Sequence, residues 1–316
     1  MNTACNRPYN QLSDWLKERF GQKVFKITVN AGLTCPNRDG TKGTGGCVYC
    51  AEGALLPKDS PASSSVIEQI TAGRERIRKR HKAENFIAYF QLGSSTHAPV
   101  KRLKNILSGA LCFADVLCVA VSTRPDCLDE AVLDLLCEIR KKKPLWIELG
   151  LQSSSDATLT KVNRCHTAAD FDDALMRAHK RGIDVCAHVI LGLPGESKDD
   201  MLGTARFISS RPVWGIKFHQ LQVLKGTPLE QMYNTGGVRA LPLEEYADIV
   251  VECLELLPPD MVIHRLCGDS PERYLIAPKW GANKFMVMEK VLRLLSERKT
   301  FQGAKFTPAS AGKKGD

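Results

Sequence analysis

Along the chain, short apolar runs alternate with segments in which apolar residues recur every three or four positions. The runs are strand candidates: Phe25–Gly32 (FKITVNAG), Asn85–Gly93 (NFIAYFQLG), Val116–Thr123 (VLCVAVST), Leu145–Ser153 (LWIELGLQS), Asp184–Leu193 (DVCAHVILGL) and Trp214–Leu224 (WGIKFHQLQVL). Helical patterns lie between them, near 66–82, 99–113, 128–142, 168–181 and 197–210. From the second strand on, starts fall about 30 to 40 residues apart, the spacing of βα units. The runs are nearly continuously apolar, as expected where helices cover a parallel sheet. The pattern predicts an α/β fold whose six βα units form a barrel-like sheet. A linker-like stretch, Tyr233–Pro242, ends this region. Beyond it the pattern predicts a helix over 243–257, a short strand over 261–267, a Pro-punctuated loop to Trp280 and a last helix over 282–299. The expected organisation is an N-terminal segment 1–24, a barrel core 25–230, a small C-terminal α/β extension 231–300 and a tail 301–316. The tail is rich in Gly, Ala, Ser and Lys, a composition that predicts disorder.

Composition adds three constraints. No apolar run among the 316 residues approaches the ~20 needed to span a bilayer, and the N-terminus has no apolar h-region of a secretory signal. A cytoplasmic protein without membrane contact is expected. The net charge is +9, with Arg74, Arg76, Arg78, Lys79, Arg80 and Lys82 crowded on one helix and Lys141, Lys142 and Lys143 in a run. That excess suits RNA or another polyanion; a solvated helix face accounts for it equally well. Of the twelve cysteines, Cys118, Cys137, Cys186 and Cys253 sit in apolar runs, where a free thiol behaves as a small hydrophobe. A disulfide framework does not fit a long chain without an export signal.

Three cysteines change the picture. Cys35, Cys47 and Cys50 stand as C-x11-C-x2-C in LTCPNRDGTKGTGGCVYC, directly after the first strand. In parallel βα folds the chemistry collects at the carboxyl ends of the strands. Soft thiolates favour zinc or an iron–sulfur cluster. A structural zinc site takes four protein ligands, and no fourth Cys or His stands nearby. Three cysteines on a four-iron cluster leave one iron open.

The segment resembles the radical S-adenosylmethionine (SAM) superfamily, and its long spacing resembles the YhcC-type subfamily. That group is related to the elongator catalytic subunit and to the oxygen-independent coproporphyrinogen dehydrogenases. The resemblance runs from about Tyr9 to Trp280. It includes STRPDCL (Ser122–Leu128), IELGLQS (Ile147–Ser153), NRCHT (Asn163–Thr167), HVILGLPGE (His188–Glu196), KFHQLQVLKGTPL (Lys217–Leu229) and RLCGDSPE (Arg265–Glu272). It implies a partial (βα)6 TIM-like barrel and a [4Fe-4S] cluster on Cys35, Cys47 and Cys50. It also implies reductive cleavage of S-adenosylmethionine at the open iron, which starts radical chemistry.

Further roles follow from the resemblance. Tyr49 would lie against the adenine. Gly93 and Ser94 stand where relatives carry a Gly-Gly-Glu turn for the methionyl amine, and this chain lacks the acid. Ser122 would contact the methionyl group, Gln152 the ribose hydroxyls, and Arg164 the carboxylate, a pairing suited to a guanidinium. Gly192 and Leu193, with Pro194, resemble the turn beside the adenine. Relatives usually have Gly where Cys165 stands. His97, His166, His188 and His219 fall near the expected mouth as candidates for proton handling or substrate contact; Cys267, also near it, is a candidate for radical quenching or an adduct, or a plain buried thiol. Related branches modify tRNA wobble uridines, so a tRNA substrate is expected, with an electron donor such as flavodoxin or ferredoxin. The alternatives are a radical oxidoreductase of a small molecule, a zinc-stabilised RNA-binding or scaffold protein, and a cluster-bearing electron carrier.

Overall fold

A computed structural model describes residues 7–51 and 64–308. The strands are β1 (Val24–Val29), β2 (Asn85–Phe90), β3 (Val116–Thr123), β4 (Leu145–Gln152), β5 (Asp184–Leu191), β6 (Gly215–Gln220), β7 (Val223–Leu224), β8 (Val262–Arg265) and β9 (Leu275–Ala277). The helices are α1 (Leu12–Phe20), α2 (Val66–His81), α3 (Val100–Ser108), α4 (Glu130–Arg140), α5 (Asp156–Lys161), α6 (Ala168–Lys180), α7 (Lys198–Ser209), α8 (Pro228–Asn234), α9 (Leu243–Leu256) and α10 (Lys284–Glu297). Strands β1 to β6 and then β8 form one sheet in chain order, and every pairing in it is parallel. β7 and β9 form a small antiparallel ladder beyond β6.

Period-two alternation sorts the strand residues between two cores. Phe86, Ala88 and Phe90, Val119 and Val121, and Ile147 and Leu149 face the covering helices and join the main apolar core. Capping boxes at Ser65/Glu68, Thr167/Asp170 and Ser197/Asp200 start α2, α6 and α7, satisfying amide groups that a helix start leaves open. The opposite set, Ile87, Tyr89, Cys118, Ala120, Trp146, Cys186 and Val262, forms a second cluster inside the curl of the sheet. Cys118 and Cys186 are buried there, as apolar-run cysteines should be.

Three features differ from the sequence-based expectation. The sheet has a seventh strand, β8, contributed by the segment beyond residue 231. The N-terminal segment contains α1, which touches both sheet edges, β1 and β8, and drives Leu12 and Leu16 into the inner cluster. It thereby closes the N-terminal end of the half-barrel like a floor. The expected tail is held down as far as it is described. Gln302 is buried and donates to the carbonyls of Pro258 and Met261, while Lys305 N–H donates to Glu255 O. Residues 309–316 lie outside the described residues. No helix among the described residues is long and apolar enough to cross a membrane.

Candidate active site

The loop after β1 is folded by its own backbone. The amides of Arg38 and Asp39 donate to Cys35 O, those of Lys42 and Gly43 to Pro36 O, and Cys50 N–H to Cys47 O. The turn between α5 and α6 then clamps it. Val48 N–H donates to Val162 O at 3.1 Å. The Asn163 amide donates to Gly46 O at 2.8 Å, Arg164 Nη1 lies 3.7 Å from Cys47 Sγ, and the Cys165 thiol donates to Asn37 Oδ1 at 3.0 Å. Cys165 has φ 57°, the left-handed region that favours glycine, and its thiol's bond to Asn37 helps hold it there.

Cys35, Cys47 and Cys50 line one cavity of ≈ 540 Å³ together with Tyr49, Gly93, Ser122, Gln152 and Arg164. Arg164 is fixed on its wall, with Nη2 donating to Gly150 O at 2.9 Å and Nε to His166 Nε2 at 2.8 Å. Gly150 makes room for this: a Cβ there would stand 2.5 Å from Arg164 Nη2 and 2.6 Å from Gln152 Nε2. Gln152 itself takes φ 74° at a register shift in β4, local strain of the kind that concentrates at functional sites. Burial alone would raise the Cys47 thiol, but the charge and hydrogen bond of Arg164 outweigh it and lower the pKa. That favours the thiolate that binds metal. Burial pushes the Cys50 thiol up, against the pull of Arg38.

Three of the anticipated residues are elsewhere. Ser94 is buried, its hydroxyl 3.0 Å from Thr123 Oγ1 and its amide donating to Thr34 O, so it braces the loop from behind. After β5 the chain turns over the start of α7. Gly192 and Leu193 therefore line a separate cleft with Glu196 and Ser197. Leu193 also belongs to the apolar cluster on which Val48 and Tyr49 rest. Conversely, Arg124 of STRPDCL lines the cavity unanticipated. Its Nε and Nη2 hold Asp126, and its Nη1 is buried with no hydrogen-bond partner among the described residues. Asn37, fully buried against Cys47 Sγ at 3.6 Å, is a second residue left unremarked.

The histidines separate. His97 pairs with Asp39 outside the cavity. His166 supports Arg164, and burial beside that cation brings its pKa down to about 3. His188 and His219 face inward. His188 lines the cofactor cavity and a neighbouring one of ≈ 440 Å³, which His219 also lines. A third cavity of ≈ 500 Å³ is lined by Lys26, Tyr89, Lys217, His264, Arg265 and Cys267 and opens past Asp269 and Lys284. Gln91 borders all three spaces. Burial holds the Cys267 thiol up at about 11, so it stays protonated.

At the centre of this interior stands Glu148, fully buried. Its carboxylate accepts from Lys26 at 3.0 Å, Tyr89 at 2.5 Å, His188 at 2.8 Å and Lys217 at 2.6 Å. Burial would raise its pKa, but Lys217 and Lys26 outweigh that and hold it well below the usual carboxylate range. Burial brings Lys217 down to about 7 against the pull of Glu148.

The crowded basic helix is not part of the mouth. α2 runs down to the N-terminal end of β2, whereas the cysteine loop leaves the C-terminal end of β1. Arg74 and Arg78 there pair with Asp115, and Lys143 donates to the carbonyls of Phe113 and Val116 at the same end.

Residues 35–208 match the Radical SAM superfamily, and residues 213–297 match the Radical_SAM C-terminal domain. The chain belongs to the radical SAM superfamily. It is 38% identical to the uncharacterized protein YtqA of Bacillus subtilis, over 94% of this chain and 92% of that one. It is 36% identical to protein YhcC of Escherichia coli, over 91% and 92%. A tRNA uridine(34) acetyltransferase of Dehalococcoides mccartyi is 27% identical over 50% of this chain and 35% of its own. The fold matches an archaeal Elp3 from Methanocaldococcus infernus with a TM-score of 0.69 at 18% identity, covering 88% of this chain and 64% of that one.

This radical SAM enzyme takes a [4Fe-4S] cluster and S-adenosylmethionine, the cofactors of its superfamily. The cavity fits them. It offers three thiols on one loop and a lining Arg124 whose Nη1 is buried without a partner among the described residues. Cys35, Cys47 and Cys50 would hold the cluster, and Tyr49, Ser122, Gln152, Arg164 and the newly placed Arg124 would hold S-adenosylmethionine. When bound, the pair supplies one-electron chemistry at a carbon centre. The chain's own residues would fix the cofactor's orientation, Arg164 being held on the cavity wall by Gly150 and His166.

Gly93 offers a test of the loop's seating. It has φ 66°, and a Cβ there would meet Leu33 O at 2.4 Å. Gly93→Ala should cost about 1–3 kcal/mol and push the Leu33–Cys35 backbone off its seat. Iron per polypeptide after anaerobic reconstitution should fall below the parent's; equal iron and equal stability would refute the close approach.

Proposed function

We propose that this radical SAM enzyme carries out a step in tRNA modification at a wobble uridine, with the RNA lying across the barrel mouth and the C-terminal segment. The observation that carries the reading is the set of exposed cations around that mouth. Lys101 and Arg102 flank it at the start of α3, and Lys225, Arg273, Lys279 and Lys284 flank it on the side of β7 and β9. Such a ring suits a phosphate backbone, whose neutralisation supplies most of the affinity of a nucleic-acid complex. The identity to a tRNA uridine(34) acetyltransferase supports a uridine as the base. A flavodoxin- or ferredoxin-type donor provides the electrons.

Deleting the gene and profiling tRNA nucleosides by mass spectrometry tests the reading. A wobble-uridine derivative should disappear or its precursor accumulate; an unchanged profile would overturn it. In binding experiments, the double variant Lys225→Glu/Arg273→Glu should weaken tRNA binding and shrink the salt slope by about 2. The Lys79→Glu/Arg80→Glu variant, at the far end of the barrel, should bind as the parent does.

A further inference from the structure

We infer that the cavity between β1 and β8 binds an anionic group of the substrate, a carboxylate or a phosphate, on the Arg265 guanidinium with the Lys26 and Lys217 ammonium groups beside it. The inference rests on the reading of the mouth as the substrate's entrance, and it names the chemistry of the part that enters this cavity.

The argument is one of charge balance. Four cations line the ≈ 500 Å³ cavity: Lys26, Lys217 and Arg265, and at its rim Lys284, which stands 3.7 Å from the lining Asp269. Glu148 is the one fully buried carboxylate beside them, and both its oxygens are already occupied. Arg265 contributes nothing to that pairing. Its Nη2 lies 2.9 and 3.0 Å from the two ring nitrogens of His219, and its Nε is buried without a partner. No carboxylate among the described residues pairs with it; Asp269, at the rim, is exposed and stands 3.7 Å from Lys284. Arg265 is half-buried, and a buried guanidinium nitrogen left without an acceptor is costly. An incoming carboxylate or phosphate would offset that cost through the forked geometry that Arg matches best. His264, whose ring nitrogens are also buried without hydrogen-bond partners, stands on the same wall.

The position suits a substrate anchor. Arg265 borders both this cavity and the adjoining one that His188, Gln152 and Tyr49 share with the cofactor site. An anion held by Arg265 would therefore orient the neighbouring part of the same molecule toward the cofactor cavity. Positioning of this kind accounts for much of the rate an enzyme gains.

Thermal unfolding of the anaerobic, cluster-loaded protein provides the test. It is followed in increasing acetate, inorganic phosphate or neutral acetamide, with ionic strength held constant by chloride. Ligands that bind the native state raise the midpoint by mass action. Acetate, phosphate or both should raise it in the parent above the acetamide control, and the pattern tells a carboxylate site from a phosphate site. Arg265→Gln should weaken the apparent affinity about tenfold or more. Should that variant not fold, Arg265→Lys and Lys26→Gln serve instead, and a weaker response in either supports the site. A response in the variants equal to the parent's, or one that acetamide reproduces, overturns it. The readout involves no RNA, so an unchanged nucleoside profile would remove the tRNA reading while leaving this result to stand or fall by itself.

Discussion

Glu148→Gln should lower the unfolding free energy by about 3–5 kcal/mol, the cost of breaking a buried charge pair from one side. The substitution preserves shape but leaves Lys26 and Lys217 facing each other across a neutral amide, inside the apolar cluster of Ile87, Trp146 and Val262. Adding Lys217→Met should recover a large part of the loss, because the second buried charge goes with it. Denaturation of the three variants by urea checks both statements; a double variant as unstable as the single would sink the pairwise account. The sign of the pH dependence follows from Lys217, which burial brings to about 7 in the folded chain. An unfolded lysine keeps its proton to about 10.4. Between those values the unfolded state binds more protons, so this group's contribution to stability improves as pH rises through the window. In Glu148→Gln the carboxylate that opposes the downward shift is gone, so the improvement should begin at lower pH.

Arg164→Lys should weaken S-adenosylmethionine binding by about 10- to 100-fold while leaving the brown cluster in place. The expectation rests on the geometry of the fork. One guanidinium reaches Gly150 O, His166 Nε2 and the Cys47 sulfur at once, and it stays on the cavity wall because all three hold it. An ammonium is a point charge on a flexible stem and cannot satisfy the same three directions. Losing a charge-assisted pair of this kind is worth about 1.5–3 kcal/mol. Equilibrium binding to the reconstituted protein, read against its iron content, separates the outcomes. Unchanged affinity would remove Arg164 from the cofactor site. Lost iron would assign it instead to the seating of Cys47.

The strands were legible in the sequence because burial on both faces makes each a continuous apolar run, and β3 covers Val116–Thr123 as expected. The same continuity concealed what lies inside. Lys26, Tyr89, Glu148, His188 and Lys217 are single polar residues within apolar words, and only the two-residue period puts them on the inner face. Helix α1 escaped notice because Leu12, Trp15, Leu16 and Phe20 form a short amphipathic pattern whose partner surface, the inner cluster, is assembled from strands up to 250 residues away. Of the site, the cysteines, Tyr49, Ser122, Gln152 and Arg164 could be found from motif words. Arg124 stood in one of those words, two residues beyond the serine that drew attention. Gly192 and Leu193 line a cleft apart from the cysteines, because a motif fixes order along the chain, whereas the direction taken after β5 depends on how α7 packs.

The floor of the barrel bears on how the protein is made. Asn10 N–H donates to Gln302 Oε1 at 2.9 Å, Gln302 N–H returns to Pro8 O at 2.8 Å, and Ile263 N–H donates to Asn10 O at 2.7 Å. The two contacts of Gln302 cannot form before residue 302 has left the ribosome, nor that of Ile263 before residue 263, and contacts so distant in sequence are the slow ones to form. Helix α1 therefore docks only after β8 has been made, and its docking closes the N-terminal end of the half-barrel beneath Lys217 and Glu148. Closing the base is the step that commits those charges to the interior, and an apoprotein caught before it offers a wider passage for iron and sulfide than the finished enzyme does.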